Sequence, residues 1–158
     1  MAYADYYFYA DRYHGERTAS DGIERWLERA SDMLDGITCN RLMAAFPQEE
    51  AHAEKVKKAV CAIADVLFQV DYQRRAAAPQ TAADGSVHGA VSSVTSGKES
   101  ISYAGINAGS TIYSSAAASQ DKLRELVQGI AAEYLSGIPD ANGISLLYRG
   151  VDKCTRRP

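Results

Sequence analysis

Three stretches of the chain carry apolar residues at helical spacing. In the first, from about residue 21 to 35, one face collects Ile23, Trp26, Leu27, Ala30, Met33 and Leu34. Asp21 followed by Glu24 has the form of a capping box, and Gly36 suits the end of a helix. The pattern therefore predicts a helix over about 21–35.

The second stretch predicts the longest helix, over about 48–74. Pro47 stands where a first helical turn begins, and the apolar residues step by three and four: Ala53, Val56, Val60, Ile63, Leu67 and Val70. About 27 residues at a rise of roughly 1.5 Å give a rod of about 40 Å, longer than a small domain needs. A helix of one or two turns, over about 38–46, is predicted just before it from Leu42, Met43 and Phe46.

The third stretch predicts a helix over about 119–136. One face collects Leu123, Leu126, Val127, Ile130, Tyr134 and Leu135. Gly137 and Pro139 follow it and are typical of a helix end. Residues 140–158 form a C-terminal tail that closes with a basic run.

Helical periodicity is missing from about 76 to 118, a stretch that we call the arm. Of the 44 residues from 76 to 119, 29 are Ala, Ser, Gly or Thr. Ser100 to Tyr103 alternates polar with apolar residues, and Gly97-Lys98 suits a hairpin turn before it. A compact domain seldom carries more than about 15 structureless residues in one loop, so we expect the arm to become ordered against neighbouring chains.

The first fifteen residues hold half of the ten tyrosines: Tyr3, Tyr6, Tyr7, Tyr9 and Tyr13. That much aromatic surface should pack on a helix or on another subunit. Together with this segment, the helices predicted above indicate a mainly α fold. We expect a small bundle of three to four helices, a long Ser/Ala/Gly-rich arm able to form a short β-hairpin, and extended N- and C-terminal segments. The 158 residues suit a single domain.

Composition excludes several classes of protein. Seventeen basic and 20 acidic residues give a net charge of −3, which disfavours a strongly basic nucleic-acid binder. No run approaches the roughly 20 apolar residues of a membrane span, and the N-terminus lacks the pattern of a secretory leader, so we expect a protein kept inside the cell. Cys39, Cys61 and Cys154 are widely spaced and are expected to be reduced thiols.

No constellation of residues predicts catalysis. Glu49 and His52 have the Glu-x-x-His spacing of helical di-iron sites, but such a site needs a second pair and two further glutamates. Gly97-Lys98 lacks the other residues of a phosphate loop. Cys61 lies near the seam of the long helix, as a small core residue would. We expect no enzymatic activity, no metal and no cofactor.

Four features follow one another along nearly the whole chain: Tyr3-x-x-x-Tyr7-x-Tyr9-x-x-x-Tyr13-x-Gly15 before the first amphipathic helix, the serine-rich arm with Ser100-Ile-Ser-Tyr103, the Leu-rich last helix, and Leu146-Leu-Tyr-Arg-Gly-Val151. In this order they resemble the small head–tail connector proteins of long-tailed bacteriophages and prophages. The alanine-rich stretch from 76 to 90 departs from that pattern.

The resemblance implies a structural virion protein rather than an enzyme. Such an adaptor, or head-completion protein, assembles as a ring of about twelve subunits under the portal protein. It extends the DNA channel and offers a platform for the next completion protein or the tail. DNA passes through without sequence-specific binding, and no membrane is involved. The resemblance places the protein at the head–tail interface of a virion assembled in the host cytoplasm.

Two sets of residues are expected to make these contacts. The subunit interface is expected at Tyr3, Tyr7, Tyr9, Tyr13, Val94, Ile101, Tyr103, Ile112 and Tyr113. Docking on the portal or a neighbour is expected at Leu146, Leu147, Tyr148, Arg149 and Val151. The alternative is a small helical DNA-binding or regulatory protein, which would require a basic recognition helix; neither amphipathic helix shows one.

Overall fold

The computed structural model describes residues 2–77 and 111–148, together with the backbone of four short strands between them. Its helices are α1 (Tyr6–Asp11), α2 (Ile23–Ile37), α3 (Arg41–Ala44), α4 (Glu50–Ala77), α5 (Ile112–Ala118) and α6 (Gln120–Leu135), with a 3₁₀ turn at Ala19–Asp21. The fold is therefore mainly helical, as predicted.

Four short strands lie within the stretch predicted to be the arm. β1 (Gln80–Thr81) pairs antiparallel with β2 (Val87–His88), and β3 (Ser93–Ser96) pairs antiparallel with β4 (Glu99–Ser102). The other residues of 78–110, and all side chains there, lie outside the described part of the chain. How the predicted hairpin packs, and the ordering of the arm against a neighbouring chain, therefore stay predictions.

The chain divides into two compact units. The first comprises residues 1–67 and 127–158, and the second comprises residues 68–126. Both boundaries fall inside long helices, one in α4 and one in α6, so each of these helices contributes to both units.

Helix α2 has the predicted apolar face. Ile23, Leu27, Ala30 and Leu34 are buried there, and so is Trp26. The helix begins at Ile23 rather than at Asp21, because Gly22 takes a left-handed conformation and Asp21 closes a 3₁₀ turn. The Asp21 carboxylate accepts a hydrogen bond from the Thr18 amide at 2.8 Å instead of capping α2.

The short helix α3 occupies only the middle of the range 38–46 predicted for it. Cys39 and Asn40 both have left-handed backbone conformations, with φ of 54° and 61°. The Asn40 amide donates to the Asp35 carbonyl at 2.8 Å and closes the end of α2. Two left-handed residues in succession cannot continue a right-handed helix, so α3 starts at Arg41.

The seam of α4 is buried as its spacing predicts. Val56, Val60, Ile63 and Val70 are at most 1% exposed. Cys61 is buried as well, which confirms its prediction as a core residue, whereas Cys39 is a free, exposed thiol. The helix runs for 28 residues, from Glu50 to Ala77, slightly beyond the predicted end.

The prediction of an extended N-terminal segment is wrong at its centre, where Tyr6–Asp11 forms α1. The Asp5 carboxylate caps this helix by accepting from the Phe8 amide at 2.8 Å. After α1 the chain folds back, and the Gly15 amide donates to the Tyr9 carbonyl at 2.9 Å. Gly15 thereby lies against the Tyr9 ring, and a Cβ at this position would overlap the ring.

The end of the predicted arm is also helical. Residues Ile112–Ala118 form α5, whose N-terminus is capped by the Thr111 hydroxyl accepting from the Ser114 amide at 3.1 Å. Small residues suggested an irregular segment, but alanine is the strongest helix former. A capping hydroxyl followed by three alanines is sufficient for a short helix in this position.

We predict that Gly15→Ala lowers the free energy of unfolding by about 1–3 kcal/mol, because the added methyl group must displace the buried Tyr9 ring. Gly129→Ala is the matched control. Gly129 lies in the middle of α6, where no described atom outside its own helix comes within 4 Å of the place that an alanine methyl group would take. Alanine should therefore stabilise the protein there by about 0.5–1 kcal/mol. Urea unfolding of both variants measures the difference; equal effects would contradict this packing.

Candidate docking surfaces

Six large apolar side chains are exposed among the described residues: Tyr7, Met43, Tyr72, Ile112, Tyr113 and Tyr148. Isolated exposed apolar residues are common, so only their grouping is informative. Tyr7, Met43 and Tyr148 belong to the first compact unit, and the other three belong to the second.

Met43 and Tyr148 belong to a surface around α3, which we define by Tyr3, Arg41, Met43, Phe46 and Tyr148. The Tyr3 ring stacks on the Phe46 ring, with centroids 5.4 Å apart. The Arg41 guanidinium lies over the Tyr148 ring at 5.7 Å. Both aromatic contacts therefore involve the segment 41–46, and we use the name α3 surface for the residues on or against this segment.

The local sequence explains why α3 presents Met43 outward. Leu42 is 1% exposed and anchors the short helix, whereas its neighbour Met43 is 70% exposed. Adjacent residues on a helix point in directions about 100° apart, so a single turn anchored by Leu42 can leave Met43 in solvent. The sequence interpretation grouped Leu42 with Met43, whereas the structure buries the first and exposes the second.

The C-terminal turn brings Tyr148 to this surface. The Asp140 carboxylate accepts hydrogen bonds from the amides of Asn142 at 2.8 Å and Ile144 at 2.9 Å, which fixes the turn. The Ala141 amide donates to the Ala45 carbonyl at 3.2 Å, directly after α3. The turn is therefore attached to the α3 segment by a backbone hydrogen bond.

Leu146, expected at a docking site, is a core residue of the first unit. Its side chain is fully buried, and its amide donates to the Ile138 carbonyl at 2.9 Å. Leu147 is half-buried, so Tyr148 is the exposed member of the expected set. Arg149 and Val151 lie outside the described residues. The tail is thus folded onto its own unit up to Tyr148, which corrects the prediction of an extended segment over 140–148.

Tyr9, expected at a subunit interface, is also fully buried. Its hydroxyl donates to the Asp65 carboxylate at 2.6 Å and accepts from the Arg17 amide at 3.4 Å. Tyr13 is half-buried, with ring centroids 5.6 Å from Tyr9. Tyr9 therefore belongs to the core, and no part of its side chain is available to a second subunit.

Burial raises the pKa values of four groups that lie close together: Tyr9, Tyr13, Cys61 and Asp65. Desolvation, with a smaller contribution from the Asp65 charge, raises the pKa values of the Tyr9 and Tyr13 phenols, so both stay neutral well above the usual range. Burial also raises the pKa of the Asp65 carboxyl, against the hydrogen bonds from the two tyrosines, which lower it. Burial raises the pKa of the nearby Cys61 thiol to about 12, so this cysteine is a poor nucleophile at neutral pH.

The other predicted interface residues have different surroundings. Tyr3 is half-buried, and its hydroxyl donates to the Asp35 carboxylate at 2.5 Å. Tyr7 on α1 is 75% exposed, and Ile112 and Tyr113 are exposed on α5. Val94, Ile101 and Tyr103 have side chains outside the described residues.

Sequence reasoning missed Tyr72 and Arg41. Tyr72 is exposed on α4, two residues after Val70, which is the last position of the buried seam. A tyrosine displaced from a regular seam was a signal that could have been used. Arg41 gave no such signal, because its contact with Tyr148 depends on the turn that returns the C-terminal segment to α3.

Glu49 and His52 form a pair at 3.1 Å between the carboxylate and Nδ1, with the glutamate largely exposed. Over the described part of the chain, no group of three or more His, Cys, Asp or Glu side chains is arranged to hold a metal ion. In the same part, none of the helices combines the length and apolar character needed to cross a bilayer.

Comparisons of this chain with protein-family models, with curated proteins and with solved structures find no match.

We predict that Tyr9→Phe lowers the free energy of unfolding at neutral pH by about 1–3 kcal/mol, because the half-buried Asp65 carboxylate loses its hydroxyl donor. Tyr7→Phe removes the same atom from a side chain that is 75% exposed and should change stability by less than about 0.5 kcal/mol. Urea unfolding compares the two. Similar losses in both variants would show that the Tyr9–Asp65 bond has no special role.

The raised pKa of Asp65 predicts a definite pH dependence. The folded state holds the proton more tightly than the unfolded state, so this group favours folding at low pH, and its contribution falls as pH rises above about 3.9. The stability of the wild type relative to Asp65→Asn should therefore decrease as the pH rises through and above about 3.9. Urea unfolding at several pH values measures this difference, and a relative gain by the wild type over that range would refute the desolvation of Asp65.

Proposed function

We propose that this protein is a small head–tail connector that assembles as a ring of about twelve subunits beneath the portal of a long-tailed phage. The ring extends the DNA channel and carries the next completion protein or the tail. The order of tyrosine motif, helix, arm and Leu-rich helix supports the proposal, and so does the mainly helical fold. It acts as a structural part of the virion rather than as an enzyme.

The observation that carries the proposal furthest is the exposure of two large apolar side chains at the α3 segment: Met43 lies on α3, and Tyr148 lies against Arg41 of α3. The unit has a closed core that includes Leu42, Leu146 and Ile138, each at most 1% exposed, so these two side chains are not needed to complete it. Apolar groups left in water beside an arginine are typical of protein interfaces, where aromatic residues, methionine and arginine are enriched. We assign the α3 surface as the face that docks on the portal or on the next protein.

The charge of α2 suits a wall beside moving DNA better than a DNA-binding site. Glu24, Glu28 and Asp32 are exposed and recur every four residues, so they form one acidic row. The guanidinium groups of Arg25 and Arg29 lie over the Trp26 ring, at 4.7 and 4.9 Å from its centroid. Such a row repels phosphate, so a ring that turned α2 inward would let DNA slide without holding it.

The alternative, a small helical DNA-binding or regulatory protein, would need a positively charged surface instead of a negatively charged one. It would need one basic helix face in contact with the phosphate backbone. A gel shift at low salt decides between the two functions: retarded duplex DNA would favour the alternative, and free DNA at high protein concentration would favour the connector.

We predict that the double variant Met43→Ser/Tyr148→Ser binds the portal at least about tenfold more weakly than the wild type, because it loses two exposed anchors. Co-sedimentation with purified portal rings measures this. Arg124→Ser is the control, since Arg124 is equally exposed but lies on α6 in the second unit, and it should bind normally. Normal binding by the double variant would overturn the assignment of the α3 surface.

The buried position of Leu146 also determines where the tail can be cut. A chain ending after Tyr148 keeps every buried residue of the described part and loses residues 149–158, which include four basic residues and Val151. It therefore tests Arg149, Val151 and the basic end together, whereas a cut before Leu146 would also remove a core side chain.

A further inference from the structure

The short helix α5 buries its small side chains and exposes its large apolar ones. Its buried residues are the small Ser114 and Ala116, whereas the large Ile112 and Tyr113 are 68% and 40% exposed. A helix that only completed a core would place its largest apolar side chains inward. The arrangement exposes apolar area where folding of the second unit does not require it.

This outward face is held in a fixed position rather than on a loose loop. The Thr111–Ser114 cap fixes the start of α5. Near its end, the Ala117 carbonyl accepts a hydrogen bond from Arg74 Nε at 3.0 Å, which ties α5 to the last turns of α4. We call Ile112 and Tyr113, the exposed apolar residues of this helix, the α5 face.

One end of the arm leaves the described structure directly before this face, because α5 begins at Ile112, next to Thr111. The other end follows α4, which ends at Ala77. Thirty-three residues, 78 to 110, connect them, and only Asp84, Lys98 and Glu99 among them are charged. Their larger apolar residues are Val87, Val91, Val94, Ile101, Tyr103 and Ile106.

We propose that the α5 face receives the arm of a second copy of this chain. The two partners match in chemistry: one copy offers an exposed apolar face anchored by Ile112 and Tyr113, and the other offers an almost uncharged segment with spaced apolar residues. Ile112 is 68% exposed and Tyr113 is 40% exposed, so the core of the described residues does not use this face. The inference rests on the proposed function and reverses one expectation: Ile112 and Tyr113 are the acceptor of an arm rather than part of it.

Disulfide trapping between two separate chains tests this. In a Cys39→Ser/Cys154→Ser background, one preparation carries Ile112→Cys, and a second, with a size tag, carries Val94→Cys, Ile101→Cys or Tyr103→Cys. Mild oxidation of the mixture should give a mixed dimer on a non-reducing gel with at least one arm position. Lys122→Cys is the control, since Lys122 is equally exposed in the same unit, and it should give at least about tenfold less.

Two results would overturn the inference: no mixed dimer at any arm position, or equal trapping by Lys122→Cys. Circular dichroism of every variant establishes that it is folded. Portal binding of the same preparations separates the two proposals, because binding without mixed dimers contradicts the arm contact alone. Loss of both would also contradict the connector.

Discussion

The hydrogen bond from Tyr9 to Asp65 ties the N-terminal segment to the longest helix of the fold. It is formed by a fully buried ring and a carboxylate whose pKa is raised by burial, so both partners depend on the same exclusion of water. Gly15 makes the arrangement possible, because only a residue without a side chain fits over the Tyr9 ring. The first unit is built around this contact, which leaves Tyr7 exposed on the opposite side of α1.

The same chain shows two ways of keeping apolar surface outside its core. On the α3 surface, Leu42 is buried and Met43 is exposed, and a carboxylate-capped turn carries Tyr148 to its edge. On α5, small residues face inward and large ones face outward. A monomer gains nothing from either arrangement, whereas an assembly gains two separate contact areas, one in each compact unit.

Much of the helical framework could be predicted because the signal for a helix is local periodicity. The seam of α4 and the apolar face of α2 follow from spacing alone. The errors arose where local signals were ambiguous. The N-terminal segment expected to be extended forms α1, whose start is capped by Asp5, and an alanine run in α5 was taken for part of the arm.

The candidate surfaces were harder to predict, because they depend on the return of distant segments. Leu146 and Tyr148 lie two residues apart and look alike as apolar docking residues, but the bond from the Leu146 amide to the Ile138 carbonyl buries one and exposes the other. The tyrosines of the N-terminal segment also look alike in the sequence, so the half-buried Tyr3 and the buried Tyr9 were grouped with the exposed Tyr7. Only the carboxylates of Asp35 and Asp65, more than thirty residues away, distinguish them.

The central claim is that this chain works as many copies on a portal ring. Light scattering coupled to size-exclusion chromatography, on the protein mixed with rings of the portal encoded near it, measures the number of copies directly. We expect a complex whose mass exceeds that of the portal by about twelve chains of 17.1 kDa. A protein that elutes as a monomer, separate from an unchanged portal, would contradict the claim.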